Sequence, residues 1–270
     1  SLARAHVQGT DFPLDRNHGK HTLHGGSGGF HTKVWEVDTQ CSDTRCTLTL
    51  SLAGPHLDQG FPGSLKARTT YSLNNKQELA ISFEAETDRP TLVDMTSHIY
   101  FNLAGHASGS CLDHLAVFEA GNILEQDPEQ IPTGALLPTK GTGLDLAQEK
   151  LLSLGLASAE PQMRTPGGFD HYYVLDKAPD APAQAALVTC KASGVAMAML
   201  TDAPGFQFYT GNSIPEGTPG KDGAVYGKHS GFCLEAHGYP DADKHPVFPQ
   251  ALLLPGRIYS RTTLYRFHAI

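Results

Sequence analysis

The sequence predicts an all-β protein, a sandwich or a barrel of many short strands. Segments 47–52 and 78–86 alternate apolar and polar residues with a period of two, as half-buried strands do. Glycine (28) and proline (18) are spread along the chain and supply frequent turn signals. Only residues 147–156 look helical, and that segment is brief.

In chain order, Leu23-His24-Gly25-Gly26-Ser27-Gly28-Gly29-Phe30 reads as a glycine-rich turn that brings His24 into a cleft. A phosphate-cradling loop would need a helix after it. Residues 32–37 read as strand instead. The alternating segments 47–52 and 78–86 follow, with 68–73 a shorter strand candidate between them, and residues 96–101 read as the end of a further strand. A period of two then sets His98 and Tyr100 on one face. Residues 115–119, 196–200, 206–209 and 264–267 are shorter strand candidates bounded by turn formers. Residues 179–186 read as a surface loop rather than a linker, and the 270 residues are expected to form a single domain, 1–270.

Composition narrows the function. Hydrophobic content of 40% with 18% charged residues describes a globular chain rather than a disordered one. A net charge of -8 argues against nucleic acid and anionic membranes as partners, because both need a basic surface. No apolar run reaches transmembrane length. The five cysteines are scattered, odd in number and form no CxxC, which fits a reducing, cytoplasmic location. Fourteen histidines invite a metal reading. His18, His21 and His24 are three apart, but glycines interrupt any helix there and no HExxH occurs, so no metal is expected. No GxSxG supports a serine triad. Cys233 lies in apolar context that raises a thiol's pKa, which disfavours it as a nucleophile.

The polar residues framed by aromatics carry the chemistry. An imidazole beside a phenol, His98 with Tyr100, is costly to bury in an ordinary core and useful where a polar ligand lies on a sheet. Asp170 stands between Phe169 and His171, and Gln207 between Phe206 and Phe208. A carboxylate and an amide so framed suit sugar hydroxyls, which donate and accept while rings stack on C–H faces. Glu235 ends an apolar strand run and faces the side opposite Leu234. With His98 it makes a candidate acid–base couple: Glu235 the anionic base, His98 the proton donor, its charged form favoured by Asp170.

Leu23-His24-Gly25-Gly26, Gly60-Phe61-Pro62-Gly63, residues 98–105, Ile131-Pro132-Thr133-Gly134, Gly168-Phe169-Asp170-His171, and residues 207–212 and 231–241 with Leu254-Pro255-Gly256 form an ordered set. Over residues 9–270 the chain thereby resembles the aldose 1-epimerase family, also called galactose mutarotases. The resemblance implies a large antiparallel β-sandwich with the sugar in a cleft on one sheet. It implies that His98 protonates the ring oxygen of a cyclic aldose, galactose or glucose, while Glu235 takes the proton of the anomeric hydroxyl. The ring opens, the C1–C2 bond turns, and reclosure gives the other anomer. By the same matching His24, Tyr100, Asp170 and Gln207 bind hydroxyls. No cofactor is needed, since only protons move, and a monomer is expected.

The chain departs from the family pattern at Ser97, where Asn is usual, at Asp94, where Asn is common, and at Ala236 and His237, where Thr or Ser and then Gln or Glu are frequent. About sixty to eighty residues of a full-length relative, several strands' worth, are expected to be missing before Ser1. Their loss would remove an arginine from the site, a place the register does not give to Arg4. A second reading is therefore a sugar-binding or regulatory protein of the same fold. The Ser97 change favours it; the presence of both His98 and Glu235 counts against it. A phosphorylated hexose would need a basic cluster near these motifs, and none is seen.

Overall fold

The computed structural model describes residues 1–158, 160–176 and 181–270. These cluster into two compact units, the first made of Ser1–Asn75, Leu79–Met95 and Gly238–Thr262. It opens with a hairpin, β1 (Arg4–Val7) and β2 (Thr10–Pro13), closed by Gln8 and Gly9 at φ 47° and 82°. Positive φ at both turn residues matches the right-handed twist of the paired strands. A meander follows of β3 (Glu36–Cys41), β4 (Arg45–Gly54), β5 (Leu65–Asn74) and β6 (Glu78–Thr87), each antiparallel to the next, with the alternating segments 47–52 and 78–86 in β4 and β6. The strand expected at 32–37 begins only at Glu36, because Phe30–Thr32 closes a 3-10 turn. A short β7 (Thr91–Leu92) follows.

The cysteine reading needs one correction. Cys41 and Cys46 face each other in register where the β3–β4 turn begins, and they form a disulfide. Spacing alone did not reveal it, since only the hairpin brings positions five apart into opposition. Cys111, Cys190 and Cys233 are free and buried.

The second unit comprises Lys76–Glu78, Thr96–His237 and Thr263–Ile270. Its elements in order are β8 (Leu115–Phe118), β9 (Asn122–Gln126), β10 (Pro132–Pro138), β11 (Lys150–Leu151), the short helices α1 (Leu152–Leu156) and α2 (Pro161–Arg164), β12 (Asp170–Val174), β13 (Ala183–Cys190), β14 (Val195–Thr201), β15 (Gly205–Tyr209), β16 (Thr218–Pro219), β17 (Val225–Tyr226) and β18 (Cys233–His237). Of the two last strands, β19 (Leu252–Leu253) pairs with β7 in the first unit, and residues 263–269 of β20 (Tyr259–Ala269) pair with β14. One sheet of the second unit runs β11-β8-β13-β14-β20 and another β10-β9-β12-β15-β18. Aromatic rings join them: Phe118 on β8 stands 5.0 Å, centroid to centroid, from Tyr173, Phe206 and Phe208 on the other sheet. Buried phenols find acceptors, Tyr173 donating to the Leu144 carbonyl and Tyr265 to that of Leu234. The fold is thus mostly antiparallel β, with two facing sheets in this unit.

Three local expectations differ from what forms. Residues 96–100 carry no ladder; only Phe101 pairs, exchanging backbone hydrogen bonds with Phe232. The helix expected at 147–156 shrinks to Leu152–Leu156, because Lys150 and Leu151 pair with β8. Of the loop expected at 179–186, residues 179–180 lie outside the described residues and Ala183 onward is strand. No helix among the described residues is long and apolar enough to cross a membrane.

Candidate active site

The strands β12, β15 and β18 place polar side chains on one face by simple alternation. Asp170, Tyr209 and Cys233 stand in one row across the three strands, and Tyr172, Gln207 and Glu235 in the next. The intervening residues Phe206, Phe208, Tyr173 and Leu234 are buried on the opposite face against the aromatic core. Gly205 permits a close approach, since a Cβ there would lie 2.6 Å from the Tyr172 ring.

Asp170 is held from both sides. Gln207 Nε2 donates to its Oδ1 at 2.7 Å and Gln130 Nε2 to its Oδ2 at 3.2 Å. Its backbone N–H donates to Nδ1 of His171, whose Nε2 faces the Gln162 carbonyl at 3.1 Å. That pairing makes Nε2 the protonated nitrogen of a neutral imidazole, and burial pushes the His171 pKa down to about 4. Burial also raises the Asp170 pKa, opposed by the hydrogen bonds from Gln207 and Gln130 and by nearby His98.

His98 reaches the same face from the irregular segment before Phe101. The two backbone hydrogen bonds of Phe101 to Phe232, 2.8 and 2.9 Å, fix that segment to the strand residue just before β18. The imidazole then meets β18 twice. Its Nδ1 lies 3.3 Å from Cys233 Sγ and its Nε2 3.6 Å from Glu235 Oε1. Rings of Tyr100 and Tyr209 flank it at 5.0 and 5.9 Å. The Ser213 N–H donates to the Tyr209 oxygen and holds that ring. Glu235 is buried, which raises its pKa; His98 and then His237 pull it back, and Asp170 adds to the rise. Burial chiefly, with the Glu235 charge next, lifts the Cys233 thiol far above its ordinary range, so it is an uncharged thiol. Tyr100 is exposed on one side, and the desolvation of its packed side raises its phenol pKa. A cavity of about 510 Å³ opens beside this group, with Tyr100, Tyr209, Tyr226 and Ile214 in its wall.

Five of the six residues singled out from the sequence, His98, Tyr100, Asp170, Gln207 and Glu235, therefore lie in the second unit about this face. His24 lies in the first unit, exposed, in the glycine-rich turn with φ 51°. Sequence reasoning passed over Cys233, Tyr209 and Gln130 as neighbours of these groups. The first two were within reach, being two residues from Glu235 and Gln207 on their strands. Gln130 comes from a loop and carried no such signal.

The aldose 1-epimerase family profile matches residues 2–266. The chain belongs to the aldose 1-epimerase family. Among curated members, galactose mutarotase of Homo sapiens is 39% identical over 261 residues, covering 97% of this chain and 73% of the human protein. The aldose 1-epimerase of Escherichia coli K12 is 33% identical over 269 residues, covering 99% of this chain and 76% of its own length. Solved structures agree. A GalM/aldose epimerase homologue from C. elegans superposes with TM-score 0.89 at 26% identity, covering 100% of this chain and 79% of its own. The galactose 1-epimerase of Lactobacillus acidophilus gives 0.86 at 25% identity, covering 99% and 76%. Asp94 accepts a 2.9 Å hydrogen bond from the Gly238 N–H.

Proposed function

We propose that this chain is an aldose 1-epimerase that interconverts the α and β anomers of galactose or glucose, acting as a monomer on the free sugar. The observation that carries the reading is the 3.6 Å separation of His98 Nε2 and Glu235 Oε1 on one open face. The two groups can address two oxygens bonded to a single carbon. Glu235 takes the proton of the anomeric hydroxyl while His98 gives its Nε2 proton to the ring oxygen, and the C1–O bond of the ring breaks. The product is an open-chain aldehyde. After rotation about C1–C2, the ring hydroxyl adds to the other face of the carbonyl, its proton returning to His98 as Glu235 reprotonates the carbonyl oxygen. Every proton and electron pair is returned, so the cycle closes on residues alone.

Burial strengthens the base, because a carboxylate with a raised pKa holds a proton more tightly. Cys233 is a positioning residue: its thiol behind Nδ1 orients the ring so that Nε2 faces Glu235. Asp170, Gln207 and Tyr100 offer acceptors and donors to the remaining hydroxyls, and His24 is assigned to the same task by the family match. Residues 1–270 are taken as one domain, on the support that the family profile runs through both units. A cytoplasmic location is proposed with it, on the three free buried cysteines; the Cys41–Cys46 pair is the one feature pulling the other way.

The test is polarimetry. Freshly dissolved α-galactose is followed with the protein and with its His98→Ala and Glu235→Ala forms. Acceleration by the native chain and its loss in both variants is expected. A folded native chain that binds galactose without accelerating mutarotation would point instead to the sugar-binding reading.

A further inference from the structure

The acid–base pair has a neighbour of different chemistry. Donor atoms of His98, Cys233 and Glu235 all lie within 4.8 Å of one another, the one such trio of histidine, cysteine and acidic side chains found among the described residues. Imidazole nitrogen, thiolate sulfur and carboxylate oxygen together are a donor set that zinc accepts, whereas magnesium and calcium take oxygen alone. The spacing also fits. Two donors on one tetrahedral zinc, at about 2.3 Å for sulfur and about 2.0 Å for nitrogen, sit about 3.6 Å apart. The Cys233 Sγ to His98 Nδ1 distance is 3.3 Å.

We propose that His98, Cys233 and Glu235 chelate a soft divalent cation, Zn²⁺ the best matched, and that this metal inhibits the enzyme by occupying its acid–base pair. The approach is from the His98 side, whose side chain is 34% exposed while Glu235 and Cys233 are buried. One ring nitrogen, the sulfur and one carboxylate oxygen become ligands, and the thiol proton passes to solvent as the metal–sulfur bond forms. Three protein ligands leave a fourth position for water or a sugar hydroxyl, the arrangement of open zinc sites. With its carboxylate oxygen bound to the metal, Glu235 can no longer take the anomeric proton of an aldose, so the acid–base step fails whichever ring nitrogen of His98 is the ligand. The inhibitory half rests on the proposed function; the binding half stands apart from it.

The experiment uses the whole protein with Co²⁺ and Zn²⁺ as probes. Co²⁺ is added and the thiolate-to-cobalt charge-transfer absorption recorded; Zn²⁺ is titrated by calorimetry; mutarotation is followed in parallel, with and without EDTA. The native protein should show the absorption, bind one Zn²⁺ more tightly than the rest, and lose mutarotation in a way EDTA restores. In Cys233→Ser the absorption should vanish and the affinity of that Zn²⁺ should fall by at least about tenfold. Cys233→Ala and Glu235→Gln, each checked for folding by circular dichroism, should weaken the same site. Absence of the absorption in the native protein overturns the proposal. So does equal Zn²⁺ affinity in native and Cys233→Ser forms, which would place the metal on other histidines such as those of residues 18–31. Absorption without any mutarotase activity would uphold the metal site while removing the catalytic reading.

Discussion

The sulfur of Cys233 lies 3.3 Å from Nδ1 of His98, on the ring side away from the nitrogen that faces Glu235. An uncharged thiol is a weak hydrogen-bond partner. It can hold Nδ1–H in place through the cycle without strengthening the imidazole as a base, as a carboxylate in its place would. Cys233→Ala should therefore lower kcat by about fivefold, the worth of one hydrogen bond of about 1 kcal/mol, with KM little changed. Cys233→Ser should recover most of that loss. Steady-state polarimetry decides it: equal losses in the two variants would mean that packing, not ring orientation, is what the thiol supplies.

Replacing either member of the pair should cost far more. His98→Ala and Glu235→Gln should each reduce kcat by roughly 10² to 10⁴, the usual contribution of a positioned acid or base. The double variant should be scarcely worse than either single one, because the two act in one step. Galactose binding measured by calorimetry should survive in both single variants.

Glu235 should also cost stability at neutral pH. Its folded pKa is raised above the 4.5 of an ordinary glutamate, mainly by burial, so between the unfolded and folded values the native state binds the extra proton. Stability then falls as pH rises through that window and stays lower above it. Glu235→Gln, which has no charge to desolvate, should melt at a higher temperature than the native protein at pH 7. The gap should close when both are measured below pH 4.5, where the native carboxyl is protonated folded or not. Thermal melts at the two pH values test this, and a gap independent of pH would refute it.

The same raised pKa sets the acid limb of the activity profile. kcat/KM should climb with pH through a value above the 4.5 of an ordinary glutamate, because the base must be ionised before it can take the anomeric proton. A limb at or below 4.5 would mean that His98 and His237 outweigh burial at this carboxyl.

Gln207 donates to Asp170 at 2.7 Å and faces Glu235 across the β15–β18 pairing. Gln207→Leu should raise the KM for galactose about tenfold, as expected for losing a hydrogen bond to a charged group, and change kcat less. It should also push the Asp170 pKa further up, since the lost bond is the largest influence lowering it. Initial rates across galactose concentrations separate the two parameters.

What could be read from the chain depended on how each strand is buried. β4, β5 and β6 alternate visibly because they are half-exposed, and their positions were legible. β12 and much of β13 are buried on both faces, so Asp170–Val174 and Ala183–Cys190 show no period of two. The stretch around His98 misled in the opposite way, having strand-like residues but a single pairing at Phe101. At the site, Gln207 and Glu235 were legible as polar residues inside apolar strands. Their company was not, since Gln130 arrives from a loop and Cys233 looked like ordinary core.

On β15, Phe206 and Phe208 anchor the aromatic core while Gln207 and Tyr209, alternating with them, face the other way. β12 and β18 follow the same rule. A register slip of one residue would turn a phenylalanine of β15, Leu234 of β18 or Tyr173 of β12 toward the site face and a polar group into the core. Such a slip would cost the protein its fold and its chemistry together. These strands can therefore vary only by substitution, residue for residue, and change in chain length is confined to the loops between them.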